Sequence, residues 1–348
     1  MQLDGTRILV TGGAGLVGST TVDLLLRTHA PREVVVLDNL SRGSLDNLAQ
    51  AATDPRLKFV RGDVRDPAAV RSAMRGIDAV LHLAALRITA CAAAPREALQ
   101  VMCHGSFNVV EAAQAAGVQR VVAASSASVY GQAEQFPTRE DHHPWGNDTW
   151  YGTSKLMLEG LLRAYHAMHG LNGVALRYFN VYGPRMDTEG AYTEVLIRWM
   201  ERIAAGQAPL IHGDGSQSMD FVHVHDIARA NVAALQADCA SGAFNVASGT
   251  ETRLADLART LLQAMDSPLE PAFGPPRAVS PVTRRLADTS RAQEVLGFQA
   301  QVPLDEGLRD LVRWWSAQAS ARESRRLAPS PAEHPGMRAR AFGEVGSA

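Results

Sequence analysis

The first half of the chain repeats one hydrophobic pattern: a short β-branched apolar run, a turn, then an Ala- and Leu-rich stretch with helical spacing. The apolar runs predict strands at Arg7 to Val10, Val34 to Asp38, Lys58 to Arg61, Ala79 to Leu83, Arg120 to Ser125 and Val174 to Tyr178. The segments between them are long enough for crossover helices. A parallel neighbour requires a crossover, so the alternation predicts an α/β fold built on a doubly wound parallel sheet. After Phe179 the alternation loosens into Gly- and Pro-rich turns, with helical stretches at Tyr192 to Ala205, Asp226 to Ala237, Arg253 to Met265 and Leu304 to Trp315. This half reads as a smaller α+β lobe capping the C-terminal edge of the sheet, where open α/β sheets bind ligands. From Ala317 the chain turns to Arg, Ser, Pro and Gly, with too few apolar residues to offset ordering entropy. The expected organisation is a sheet domain over 1–178, with part of 221–248 returning to it, a substrate lobe over 179–316 and a disordered tail over 317–348.

Composition narrows the classes. A length of 348 residues exceeds one minimal core and suits two lobes around a cleft. Hydrophobic residues at 46% and charged residues at 20% fit a folded globular chain rather than a disordered one. A formal charge of −2 supplies no global field towards nucleic acid or an anionic membrane, so neither partner is expected. The N-terminal stretch lacks the regions of a secretory signal, and a cytoplasmic location is expected. Cys91, Cys103 and Cys239 are scattered without CxxC spacing, which fits reduced thiols better than a disulfide or zinc framework. The GxSxG elbow of hydrolases and the GxxxxGK[ST] loop of nucleoside triphosphatases are both absent.

Candidate chemistry begins between the first strand and the first helix, in RILVTGGAGLVGS, where Gly12, Gly15 and Gly18 stand at the spacing of a phosphate cradle. Glycine suits a tight turn, backbone contact with pyrophosphate and close packing of helix on strand, while the helix N-terminus offers free N–H groups to the anion. Asp38 ends the second strand, 20 residues past Gly18, where a carboxylate can accept from ribose hydroxyls and repel a 2′-phosphate. The pattern is therefore that of a Rossmann-type site favouring NAD over NADP, with Arg42 either a solvated loop residue or a residual NADP signal. Asp63 reads equally as a contact to adenine or as a helix cap. The expected cofactor contacts are Gly12, Gly15, Leu16, Val17, Gly18, Asp38, Asn39, Ser41, Arg42, Asp63, Val64, Leu83, Ala84, Ala85, Tyr151, Lys155 and Tyr178.

Tyr151 and Lys155 stand four apart at the start of a helix and so share a face. Ser126 closes a serine-rich strand end from which its hydroxyl can meet them. Oxidation of an alcohol by a dinucleotide requires the hydroxyl proton to leave, and a phenol with a pKa of ~10 is a poor base unaided. A neighbouring ammonium and a cationic nicotinamide would both favour phenolate.

The ordered motifs TGGAGLVG, DNLSRGS, GDVRD, HLAA, SSASVYG, YGTSK, RYFNVYGPR, DFVHVHDIARA and ADTSRAQEVLGF resemble, over residues 1 to about 316, the extended short-chain dehydrogenase/reductases. The resemblance is to their UDP-glucose 4-epimerase-like branch. It implies a catalytic set of Ser126, Tyr151 and Lys155, tightly bound NAD, a nucleotide-diphosphate sugar substrate and epimerisation through a transient 4-keto sugar. It places Asn180 at the substrate diphosphate and gives Arg87, Ser126, Ser128, Arg185, Arg277 and Arg285 to substrate binding. Dehydratases of the family carry an acid and a base before Val-Tyr-Gly, whereas this chain has Ser126-Ala127-Ser128. Met102 and Met219 replace an asparagine and an arginine of the family pattern. The lost guanidinium leaves Arg185, Arg277, Arg284 or Arg285 to meet the phosphates, with Arg277 first by position, and Arg285 and Arg87 raise the option of an anionic sugar. Other open functions are an oxidoreductase that releases a keto product, a dehydratase of the same family and a silent NAD-binding scaffold. The resemblance also implies a homodimer, through helices at Pro95 to Ala116 and Gly152 to His169 with the stripe Leu156, Leu158, Leu161 and Leu162, although core packing produces the same stripe. His223 and His225 share a strand face, but no third ligand follows at suitable spacing, so no metal is expected.

Overall fold

The computed structural model describes residues 1–188, 195–275 and 282–327, with side chains to residue 318. The chain begins β1 (Arg7–Thr11), α1 (Leu16–Thr28), β2 (Glu33–Asp38), β3 (Leu57–Arg61), α2 (Pro67–Ala73) and β4 (Ala79–His82). It continues α3 (Ile88–Ala93), α4 (Pro95–Ala98), a π-helical turn (Leu99–His104), α5 (Gly105–Ala115), β5 (Arg120–Ser126), α6 (Trp150–His169) and β6 (Gly173–Tyr178). The second half holds β7 (Asn180–Tyr182), α7 (Val195–Ala204), β8 (Leu210–His212), β9 (Ser218–His223), α8 (Val224–Gln236) and β10 (Ser241–Val246). It ends β11 (Glu251–Arg253), α9 (Leu254–Ala264), β12 (Ala272–Gly274), α10 (Ser290–Leu296) and α11 (Leu304–Leu327).

Seven strands form one sheet in the order β10-β6-β5-β4-β1-β2-β3, every pair parallel. Strands such as β2 (EVVVLD) are apolar on both faces because helices cover both, as all-parallel sheets require. The chain steps outward from β1 to β3, then returns past β1 to β4, so strand order reverses between β1 and β4. A crevice opens there at the strands' C-terminal ends. All six predicted strands are present. The seventh, β10, is not among the apolar runs because Gly242 and Asn245 dilute it, yet it pairs with β6 along its whole length.

One face of the sheet buries Leu25, Val36, Val122, Ile227 and Phe244 beneath α1, α8 and α10. The other buries Leu9, Val80, Val110, Leu158 and Leu162 beneath α2, α5 and α6. A third core gathers Trp199, Ile197, Leu257, Leu261, Leu308 and Leu311 from α7, α9 and α11 beside the small sheets β11-β9-β7 and β12-β8. Local signals start and stop the helices: Asp66 accepts from Ala68 N–H at 2.8 Å before Pro67 opens α2, and Gly170 closes α6 in the left-handed region.

The boundary expected at 317 needs correction. Helix α11 continues to Leu327, and the segment ARESRRL is rich in good helix formers. The remaining tail, 328–348, lies outside the described residues, as do the first residues of the stretch predicted from Tyr192. Among the described residues no helix is long and apolar enough to cross a membrane.

Candidate active site

Every expected site residue except Arg277 lines one cavity of about 2540 Å³ in the crevice above β1 and β4. Arg277 lies outside the described residues. Sites for one small molecule usually enclose ~300–1,000 Å³, so this volume suits two ligands side by side. The second lobe supplies the far wall, including Trp199, His212, Trp314 and Trp315.

The glycines of the first loop are required by close packing of loop, strand and helix. Gly12 has φ +69°, and a Cβ there would stand 2.7 Å from the Ala84 backbone. A Cβ on Gly18 would run into the Gly12 carbonyl, so only glycine lets α1 approach the loop this closely. Asp38 is held at the end of β2 by N–H donations from Ala14 (3.0 Å) and Leu40 (2.8 Å). The carboxylate thus faces the crevice in a fixed orientation, where it fits an NAD ribose. Asp63 is not a helix cap, since Asp66 fills that role. It accepts instead from Arg65 (2.7 Å) and Asn39 (2.9 Å), which hold its carboxyl down to about 2.

Ser126 ends β5 and its hydroxyl accepts from Ser128 N–H at 3.1 Å, ordering the turn that follows. Tyr151 is presented by the first turn of α6, which Thr149 caps by accepting from Gly152 N–H at 3.0 Å. The Ser126 hydroxyl lies near the Tyr151 phenol and favours its ionised form. Lys155 is almost fully buried, donates to the Ala124 carbonyl at 2.6 Å and lies 5.6 Å from the Tyr151 ring centroid. Burial lowers its pKa to about 8. The three side chains line the same cavity.

The electrostatics differ from expectation. Burial dominates at Tyr151 and pushes the phenol up, while the Ser126 hydroxyl and the charges of Arg285 and Arg42 pull it down. Lys155, turned onto the Ala124 carbonyl, does not supply the main opposing influence. Cys91 adds a further upward push; it shares a small buried cluster with Met102 and Tyr151 and was invisible as a neighbour in sequence.

The candidate substrate residues separate into two groups. Arg285 lies in the cavity with no carboxylate partner among the described residues, and burial lowers its pKa to about 10. Asn180 opens β7, and Ser128 lies in the turn after Ser126; both line the cavity. Arg185 and Arg284, by contrast, are engaged within the protein: Arg185 meets Asp23 of α1 at 2.5 Å, and Arg284 meets Glu251 at 2.8 Å. Arg87 and Arg42 converge on Asp187, at 3.6 and 3.9 Å. Asp187 is a cavity residue that sequence reasoning missed, and nothing in its local sequence marks it. Met102 sits in the π-helical turn and its sulfur accepts from Leu86 N–H at 3.1 Å. Tyr178 lines the cavity, but its hydroxyl donates to Asn231 at 2.5 Å and burial raises its pKa.

Behind the site, the buried Arg177 of β6 pairs with Glu159 of α6 at 2.7 Å, and Ser125 donates to the same carboxylate at 2.5 Å. This network fixes α6 to the sheet. His82 bridges Thr11 (2.8 Å) and Ser106 (3.0 Å) and is kept neutral by burial, with its pKa near 3.

A doubly wound parallel sheet with a glycine-lined crevice and a Ser-Tyr-Lys set defines a dinucleotide-dependent enzyme of the short-chain dehydrogenase type. More narrowly, the chain belongs to the NAD dependent epimerase/dehydratase family, whose model matches residues 8–247. Its relatives act on nucleotide sugars. It is 37% identical over 317 residues to a UDP-glucose 4-epimerase of Mycolicibacterium smegmatis, covering 89% of this chain and 98% of that one. It is 32% identical over 330 residues to a dTDP-glucose 4,6-dehydratase of an Actinoplanes species, covering 90% and 99%. Among solved structures, the UDP-N-acetylglucosamine 4-epimerase of Methanobrevibacter ruminantium, in complex with UDP-N-acetylmuramic acid, matches with TM-score 0.85 and 31% identity over 90% of this chain and 99% of that one.

Proposed function

We propose that the protein is a 4-epimerase of a nucleotide-diphosphate sugar, a UDP-hexose or UDP-hexuronate, with NAD retained in the crevice. The observation that carries this reading is that Ser126, Tyr151 and the buried Lys155 line one cavity, beside a turn that holds serine and alanine and no carboxylate. Bound NAD supplies the reversible hydride acceptor. The protein's own residues do the rest. Tyr151 takes the proton from the sugar 4-hydroxyl and returns it after the ring turns in the cavity. Ser126 holds the phenol and the reacting oxygen, and Lys155 carries positive charge beneath them. Arg285, a partly buried guanidinium with no carboxylate partner among the described residues, favours an anionic group on the ligand. Expulsion of a 6-hydroxyl needs a proton donor and acceptor that the 126–128 turn does not carry, so dehydration is disfavoured.

The quaternary proposal is a homodimer through the α5 and α6 faces. Leu158 and Leu162 belong to the sheet core, whereas Phe107 of α5, Met168 of α6 and Leu99 of the preceding π-helical turn are exposed. An interface would cover them. Sedimentation showing a monomer at micromolar concentration refutes this part.

The test of function is incubation with UDP- and dTDP-linked hexoses and hexuronates, with products resolved by NMR. Interconversion of C4 epimers without net redox change is expected. Accumulating NADH would instead identify an oxidoreductase, a 4-keto-6-deoxy product a dehydratase, and no turnover a silent scaffold. Tyr151→Phe should slow the reaction at least ~100-fold; unchanged turnover in that variant removes the phenol from the mechanism.

A further inference from the structure

The sequence pattern predicts His223 and His225 on one strand face with no third ligand nearby, but β9 ends at His223 and His225 belongs to α8. The fold brings a third candidate. Asp310 of α11 lies against the junction of β9 and α8, where His223 ends the strand and His225 enters the helix. One ligand atom from each of the three residues lies within 4.8 Å of the other two.

We propose that His223, His225 and Asp310 form a binding site for a divalent transition ion of the zinc class, clamping α11 to the β9–α8 junction. The donor set is two imidazoles and one carboxylate, which suits zinc, nickel or cobalt and not the all-oxygen preference of magnesium or calcium. A second, independent feature points the same way. His223 is 1% exposed, and its Nε2 is buried with no hydrogen-bond partner, its nearest acidic neighbour being Asp310 Oδ2 at 3.5 Å. A buried ring nitrogen aimed at a carboxylate and another imidazole is poised for a shared ion. The walls are tight: a Cβ on Gly183 would stand 3.0 Å from that nitrogen, and one on Gly307 the same distance from the His223 ring.

His225 and Asp310 are more exposed than His223, so their side chains can close on an ion that holds its ligands at ~2.0–2.2 Å, and water can complete the shell. Arg313 occupies the other Asp310 oxygen, Oδ1, at 3.1 Å, which orients the carboxylate and leaves Oδ2 towards the histidines. Coordination through Nε2 shifts the ring proton to Nδ1 and gives up the long 3.4 Å contact from His225 N–H. The consequence is mechanical. Trp314 and Trp315 follow Asp310 on α11 and line the ligand cavity, so an ion at this junction fixes the helix that forms part of the cavity wall. The inference stands whichever sugar the enzyme uses.

The experiment titrates EDTA-treated, dialysed full-length protein with zinc chloride by calorimetry and follows thermal unfolding with and without zinc, using magnesium chloride as the control. One equivalent of zinc with micromolar affinity and a raised Tm are expected, with no effect of magnesium. Asp310→Asn and His225→Gln, both at partly open positions, should fold normally and each weaken zinc at least tenfold. Cobalt should give tetrahedral visible absorption in the parent and lose it in both variants. Absence of zinc binding at 100-fold molar excess, or binding equally strong in both variants, overturns the proposal.

Discussion

Lys155 is a place where function should cost stability, and the size of that cost follows from the structure. Its ammonium is buried, and burial lowers its pKa from 10.5 to about 8. Each unit corresponds to 1.36 kcal/mol, so keeping the charge in the folded state at neutral pH costs about 3 kcal/mol. Lys155→Met retains most of the side-chain volume and removes the charge, but leaves the Ala124 carbonyl without its donor, a loss of about 1 kcal/mol. The variant should therefore be inactive yet about 2 kcal/mol more stable than the parent at pH 7. The sign of the pH dependence is definite. Between pH 8 and 10.5 the unfolded parent binds a proton at this lysine that the folded parent has released, so parental stability rises with pH there. The gap between variant and parent is full below pH 8, closes as pH rises, and reverses to about 1 kcal/mol in the parent's favour by pH 10.5. Urea denaturation of dinucleotide-free protein, followed by tryptophan fluorescence across that range, measures it. A variant less stable than the parent at pH 7, or a difference that ignores pH, would refute the reasoning.

Other substitutions test the scaffold around the site. Arg177→Met strands Glu159 in the core and should cost about 3–5 kcal/mol, with most of it recovered by adding Glu159→Gln; denaturation midpoints that move by less than ~1 kcal/mol would show the pair to be dispensable. Gly18→Ala drives a Cβ into the Gly12 carbonyl and should weaken NADH binding at least ~10-fold by fluorescence titration, with an unchanged Kd counting against the cradle. Asp38→Asn removes the charge that repels a 2′-phosphate while keeping the acceptor for Ala14 N–H, and should narrow the preference for NAD over NADP; an unaltered ratio of the two affinities argues against that role.

Much of the candidate site was legible because its parts are local. Gly12, Gly15 and Gly18 lie within one strand-turn-helix unit, and Tyr151 and Lys155 within the first turns of one helix, so spacing alone predicts which side chains can share a face. Ser126 needed one further inference, that a serine ending a central strand stands at the crevice. The charges around these residues were less legible. Arg185 was expected at the substrate and is held by Asp23, 162 positions away, and Arg42 and Arg87 share Asp187 across separate loops. The phenol of Tyr151 was expected to be drawn down by Lys155, whereas desolvation in the folded cleft is the larger influence.

The amino-acid sequence by itself determined the elements and the sheet class, because strand and helix periods follow from backbone geometry and repeat at every turn of the pattern. It also determined the glycine-rich turn, the acidic residue that ends β2 and the Tyr-Lys pair, each a short-range arrangement. Only the tertiary structure decided the partners of buried charges and which strand of the expected 221–248 return, β10, pairs with β6. It alone extended α11 past 317 and carried Asp310 to His223 and His225. Those outcomes depend on which distant surfaces become buried together, and burial depends on the packed whole, leaving no periodic mark on the residues that take part.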